Sequence, residues 1–240
     1  MKVDIIISAD HIIESKIENK IAVVIDMFRA TSVIVTALNN GCKEVIPYLT
    51  IKETLEHSSK LNREDYILGG ERRAVKIDSF DLSNSPLEYT EEVIKNKTVL
   101  MTTTNGTRTL TKSTSAKRIL IAAMINAKAV AKELLQINED VVIINAGTSG
   151  NFSMDDYICG GYIINEMLKT DKNLELTDIA KTANMVYEEN PDIISYVKEA
   201  THYSVMKSLK LNDDIEYCTK KSIMEIVPEY KDNKITRYII

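Results

Sequence analysis

The sequence predicts an α/β protein: a layered α/β/α sheet of strand–turn–helix units, followed by a helical C-terminal segment and a terminal hairpin. Three observations predict it. Short β-branched runs such as Ile21–Ile25 (IAVVI) and Val141–Ile144 are each followed by a polar turn and a helix-like segment. That alternation repeats along the first 174 residues, as βα units do. After Leu176 strand signals thin out and helical periodicity takes over until the last residues.

In order, Val3–Ile7 is the first strand, followed by Asp10 and His11 in a loop, and Ile21–Ile25 the second. Thr31 or Ser32 can cap a helix to Asn40, with Gly41 at its stop. Lys43–Pro47 is a strand, Thr50 caps a helix to about residue 60, and Tyr66–Leu68 is a brief strand ending in Gly69-Gly70-Glu71-Arg72-Arg73. Ser85-Pro86 with Glu88 reads as a helix start. Val99–Met101 enters Thr102-Thr103-Thr104-Asn105-Gly106-Thr107-Arg108, a turn that opens a further helix. Arg118–Ala122 is a strand, Asn126 caps a helix to about Gln136, and Val141–Ile144 leads into Asn145-Ala146-Gly147-Thr148-Ser149-Gly150. Ser153 caps a helix carrying Asp155 and Asp156 in its first turn.

Residues 177–189, 192–201 and 202–211 read as helices, and 223–227 with 234–240 as a hairpin added at a sheet edge. The organisation is therefore an α/β core over 1–174 that carries the site. Residues 175–240 add helices and terminal strands packed on the same core. VVIDMFRATS and VLMTTTNGTR also echo each other, each setting an arginine in a polar cluster after an apolar strand.

The net charge of −5 comes from interspersed charges, so no nucleic-acid footprint or polybasic membrane patch is present. The apolar run near the start is too short for a signal peptide, and none approaches a bilayer span. Cys42, Cys159 and Cys218 lack metal-ligand spacing and read as reduced thiols, so a cytoplasmic location is expected. Oligomeric state is left open.

Ligands of such sheets bind beyond the carboxyl ends of strands. That unites the loops 26–32, 69–73, 102–108 and 145–156, which offer Asp26, Glu71, Asp155 and Asp156 beside Arg29, Arg72, Arg73 and Arg108. Carboxylates beside arginines, without a His or Cys pair, suggest a divalent cation such as Mg²⁺ and a multiply anionic substrate. In the 102–108 turn, backbone N–H groups suit an oxyanion and Arg108 can clamp it; equally, the threonines can simply cap backbone. Asp26 at a buried strand end needs a partner, and a salt bridge to Arg29 is the structural alternative. Asp156 reads as a helix-dipole complement and Arg73 equally as a surface charge. His11, His57 and His202 sit in no Ser or Asp pattern and read as solvated or structural.

The ordered blocks VVIDMFRATS, LGGERR, FDLSNSP, TTTNGTRTL and NAGTSGNFSMDD resemble the 2-phosphosulfolactate phosphatase family. Met27-Phe28, Arg73 and Asn145 stand where relatives often carry other residues. The resemblance implies an α/β fold and Mg²⁺-dependent hydrolysis of (R)-2-phospho-3-sulfolactate, a small anionic phosphoester and an intermediate of coenzyme M biosynthesis. On this sequence the expected catalytic groups are Asp26, Arg29, Glu71 and Arg108. Substrate contacts are expected from Arg72, Asn84, Ser85, Thr103, Thr104, Asn105, Gly106, Thr107 and Gly147. The metal ligands are expected among Asp26, Glu71 and Asp155. Direct attack by Asp26 and attack by a metal-activated water both remain open; position 28 is Phe rather than the second Asp of haloacid-dehalogenase-type phosphatases. A phosphatase for another 2-phospho-hydroxyacid and a non-catalytic anion-binding module are the alternatives.

Overall fold

Eleven strands form one sheet in the computed structural model, which describes residues 1–237. They are β1 (Lys2–Ile6), β2 (Ile21–Ile25), β3 (Glu44–Pro47), β4 (Tyr66–Arg72), β5 (Val75–Lys76) and β6 (Thr98–Thr102). The remainder are β7 (Arg118–Ala122), β8 (Val141–Asn145), β9 (Glu175–Leu176), β10 (Pro228–Lys231) and β11 (Lys234–Arg237). The order is β5-β4-β6-β3-β11-β10-β7-β2-β8-β1-β9.

Strand faces alternate between two cores, as a period of two requires. Val23, Ile25 and Ile143 pack with the helices Ala127–Ile137, Met154–Thr170 and Asp178–Glu189. Ala22, Val24 and Ile144 pack on the other face with the helix Ala30–Asn39. The result is the expected layered α/β/α arrangement. Ala180, Ala183, Val197, Met206 and Ile215 of the C-terminal helices join the first of these cores.

The β10–β11 hairpin lies mid-sheet, not at an edge. β10 runs antiparallel to β7, and β11 antiparallel to β3. The parallel sets β7-β2-β8-β1 and β3-β6-β4 meet only through this hairpin, so within the sheet they run in opposite directions. Its two-residue turn uses Asp232 and Asn233, both left-handed (φ 52° and 62°), residue types that tolerate this conformation. The last three residues of the expected final strand lie outside the described residues.

Local chemistry explains the element ends. Thr50 accepts from the Glu53 N–H, and the Glu53 side chain accepts from the Thr50 N–H, a full capping box. Ser85, by contrast, starts only the short turn Pro86–Glu88, because its hydroxyl donates to Asp214 instead of capping. Neither Thr31 nor Ser32 caps the helix Ala30–Asn39: Thr31 Oγ1 accepts from the Asp26 N–H and Ser32 donates to Met27 O. Ser153 likewise donates to Asp155. A fourth C-terminal helix, Asn212–Cys218, follows the three expected ones.

Candidate active site

The loops after β2, β4, β6 and β8 converge although β2 and β6 belong to oppositely directed sets. Twist reconciles the two facts: at about 20–25° per strand, the five steps between them turn one set by roughly 100–125° relative to the other. The loops enclose a pocket of about 260 Å³ lined by Asp26, Arg29, Glu71, Asn84, Thr104 and Asn105, with Phe28, Arg73, Ala74, Thr148, Ser149, His202 and Val205. That volume lies below the usual range for drug-sized ligands and suits a compact substrate.

Asp26 directly follows β2 and is 6% exposed. Burial pushes its carboxyl up to about 6; His202 pulls it down, and the Asp155 and Glu71 carboxylates raise it again. Gly106 lies directly against it, since a Cβ there would stand 2.9 Å from Asp26 Oδ2 and 2.7 Å from Ala30 Cβ. The two echoing segments thus touch at the site.

Arg29 is buried and pairs with Asp214 rather than Asp26, Nη1 to Oδ2 at 2.7 Å; its Nη2 donates to Ala74 O at 2.8 Å. Glu71 accepts from the Thr104 N–H (2.6 Å) and the Ala74 N–H (2.7 Å), joining the β4 and β6 loops. Among the described residues, Asn84 Oδ1 is buried without a hydrogen-bond partner. Asp155 accepts from Ser153 and lies 3.4 Å from His202 Nδ1. Burial works to lower the His202 pKa, but its hydrogen bond to Asp155 and the charges of Asp155 and Asp26 raise it overall.

Other expected contacts sit elsewhere. Arg72 donates to Glu71 O, Leu49 O and Thr102 Oγ1, and Arg108 pairs with Asp10 at the surface; neither lines the pocket. Thr103 and Thr107 bond to each other's backbone, and the Gly147 N–H donates to Asp156. Asp156 is no dipole ornament: buried, it accepts from the Met27 and Gly147 N–H groups at 2.8 and 2.9 Å, and burial holds its carboxyl well above the usual range. Sequence reasoning missed His202 and Asp214, both on C-terminal helices, and nothing local to either signals it.

The family model for 2-phosphosulpholactate phosphatase matches residues 6–233. The chain belongs to the 2-phosphosulfolactate phosphatase family. A Clostridium beijerinckii relative is 72% identical over 98% of this chain and 99% of its own length. A Clostridium botulinum relative (strain Eklund 17B) is 70% identical over 99% and 100%, and one from Clostridium acetobutylicum 56% over 98% and 100%. All three carry the name probable 2-phosphosulfolactate phosphatase. The 2-phosphosulfolactate phosphatase family is one of hydrolases, and in this chain the pocket brings acidic and basic side chains together. Among the described residues no helix is long and apolar enough to cross a membrane, and the three cysteines are buried and free.

Proposed function

We infer that the protein is a Mg²⁺-dependent phosphatase that hydrolyses (R)-2-phospho-3-sulfolactate to 3-sulfolactate and phosphate. The observation that carries this reading is the Asp26 carboxylate, buried in a small pocket whose wall also presents Arg29, Asn84 and the Thr104-Asn105 turn. Family membership supports the substrate. A step of coenzyme M biosynthesis and a cytoplasmic location belong to the same reading, supported by family membership and by the free, buried cysteines.

The donor set fits Mg²⁺ in its usual mode, one or two carboxylates completed by water and phosphate oxygens. Glu71 has two backbone donors and Asp155 has Ser153 and His202, whereas Asp26 has the Ala30 amide. Asp26 would therefore be the main protein ligand, with Glu71 or Asp155 second; among the described residues no three-ligand cage exists. When bound, the ion would neutralise phosphoryl charge and acidify a water.

The chain's own groups have distinct tasks. Arg29, fixed by Asp214, turns its guanidinium to the phosphoryl oxygens, where electrostatic positioning provides most of the rate enhancement. Asn84 Oδ1 accepts from the attacking water, a donor its unpartnered oxygen can take. The water oxygen bonds to phosphorus and the bond from phosphorus to the C2 oxygen breaks; one proton of the water ends on that leaving oxygen and the other stays on the released phosphate. Phe28 in place of a second aspartate favours this route over an aspartyl-phosphate. The test is phosphate release from racemic 2-phospho-3-sulfolactate with Mg²⁺ and with EDTA. Release abolished by EDTA is expected; no release from a folded sample in Mg²⁺ overturns the reading.

A further inference from the structure

The arginines gathered around the site divide by what already engages them. Arg29 is paired with Asp214, Arg108 with Asp10, and Arg72 donates to two carbonyls and a threonine hydroxyl. Arg73 differs: it lines the pocket, is exposed, and among the described residues has no carboxylate or hydrogen-bond partner for its guanidinium.

Its backbone is built into the site. Arg73 and Ala74 form the two-residue turn of the β4–β5 hairpin, flanked by the pair Arg72 and Val75. Both are left-handed, at φ 54° and 64°, the geometry that the β10–β11 turn fills with Asp and Asn. Arg and Ala are poor choices for it, so the surrounding structure must hold the turn in place. Site residues do so from both sides. The Ala74 N–H donates to Glu71 Oε2, and Ala74 O accepts from Arg29 Nη2. Any rearrangement of this tip would disturb Glu71 and Arg29.

We propose that Arg73 is the specificity-determining residue that recognises the substrate's sulfonate. This rests on the substrate reading above. With the phosphoryl group at buried Asp26 and Arg29, the carboxylate on the same carbon stays close to it, and the sulfonate, one carbon farther, extends to the rim where Arg73 stands. A sulfonate is ionised at every working pH and offers three oxygens to a guanidinium fork. It takes no part in bond breaking, so contact with it affects binding rather than the chemical step.

The test compares 2-phospho-3-sulfolactate with 2-phospholactate, which lacks the sulfonate, in wild type, Arg73→Asn and Arg73→Gly. Both replacements accept a left-handed backbone, so the turn persists without the charge. Expected is a KM for the sulfonated substrate raised roughly ten- to hundredfold, kcat within about twofold, and unchanged kinetics on 2-phospholactate. Equal losses on both substrates, or no loss on either, overturn the assignment while leaving the phosphatase reading intact. No phosphate release by wild type from either substrate overturns both.

Discussion

Arg29 and Asp214, 185 residues apart, form a 2.7 Å ion pair in which both side chains are 3% exposed. Ser85 donates to the other Asp214 oxygen, so one carboxylate ties the β2 loop, the 84–86 turn and the helix Asn212–Cys218 together. Removing one partner leaves a buried charge uncompensated. Asp214→Ala is expected to lose about 3–5 kcal/mol of stability and most turnover. Arg29→Met with Asp214→Leu should recover much of the stability and none of the activity. Urea unfolding and phosphate release measure the two separately.

Asp26→Asn is expected to abolish turnover yet stabilise the fold. The folded carboxyl titrates near 6 against an ordinary 3.8, so the native state favours the protonated form. The stability cost of charging it is absent below about pH 4, grows as pH rises to about 6, and is complete above that. Replacement by the neutral amide should gain on the order of 2–3 kcal/mol at pH 7.5 in EDTA, and nothing at pH 3.5. Denaturant titrations at the two pH values would show whether the gain vanishes in acid.

Gly106→Ala should act on Asp26 through space. The added methyl meets Asp26 Oδ2 and Ala30 Cβ well inside contact distance, on backbone that alanine itself accepts. Overpacking of this kind costs about 1–3 kcal/mol. Turnover is expected to fall at least roughly tenfold because a displaced catalytic group misaligns the reaction. Thermal melting alongside steady-state kinetics separates the two effects; unchanged turnover would contradict the close approach.

Asp156→Asn exchanges one of two acceptors for a donor that faces a backbone N–H, a loss only in part offset by removing the cost of charging this buried carboxyl. A loss of about 1–3 kcal/mol is expected, visible in urea unfolding. The links from β2 and β8 to this side chain should loosen, read as faster amide exchange at Met27 and Gly147.

Much of the sheet was legible because buried strands are β-branched runs and the loops after them are polar. IAVVI and VVII fall on β2 and β8 to within a residue. The pocket's first wall, Asp26 to Arg29, Glu71 and Thr104-Asn105, was visible for the same reason. The hairpin's mid-sheet position was not, since strand pairing is non-local and β10 and β11 carry no mark of which edges they join. His202 and Asp214 were hidden similarly: each acts through a partner on a distant segment, Asp155 and Arg29. Asp156 was misread because a first-turn carboxylate looks the same whether it faces solvent or two buried amides.

The mid-sheet hairpin sets an order on synthesis. β10 and β11 are translated after the other nine strands, including both of the parallel sets they join. While the ribosome is still reading the preceding helices, β3 and β7 have unpaired edges, the kind that neighbouring nascent chains can add to. Those edges are closed only when the hairpin emerges and docks between them.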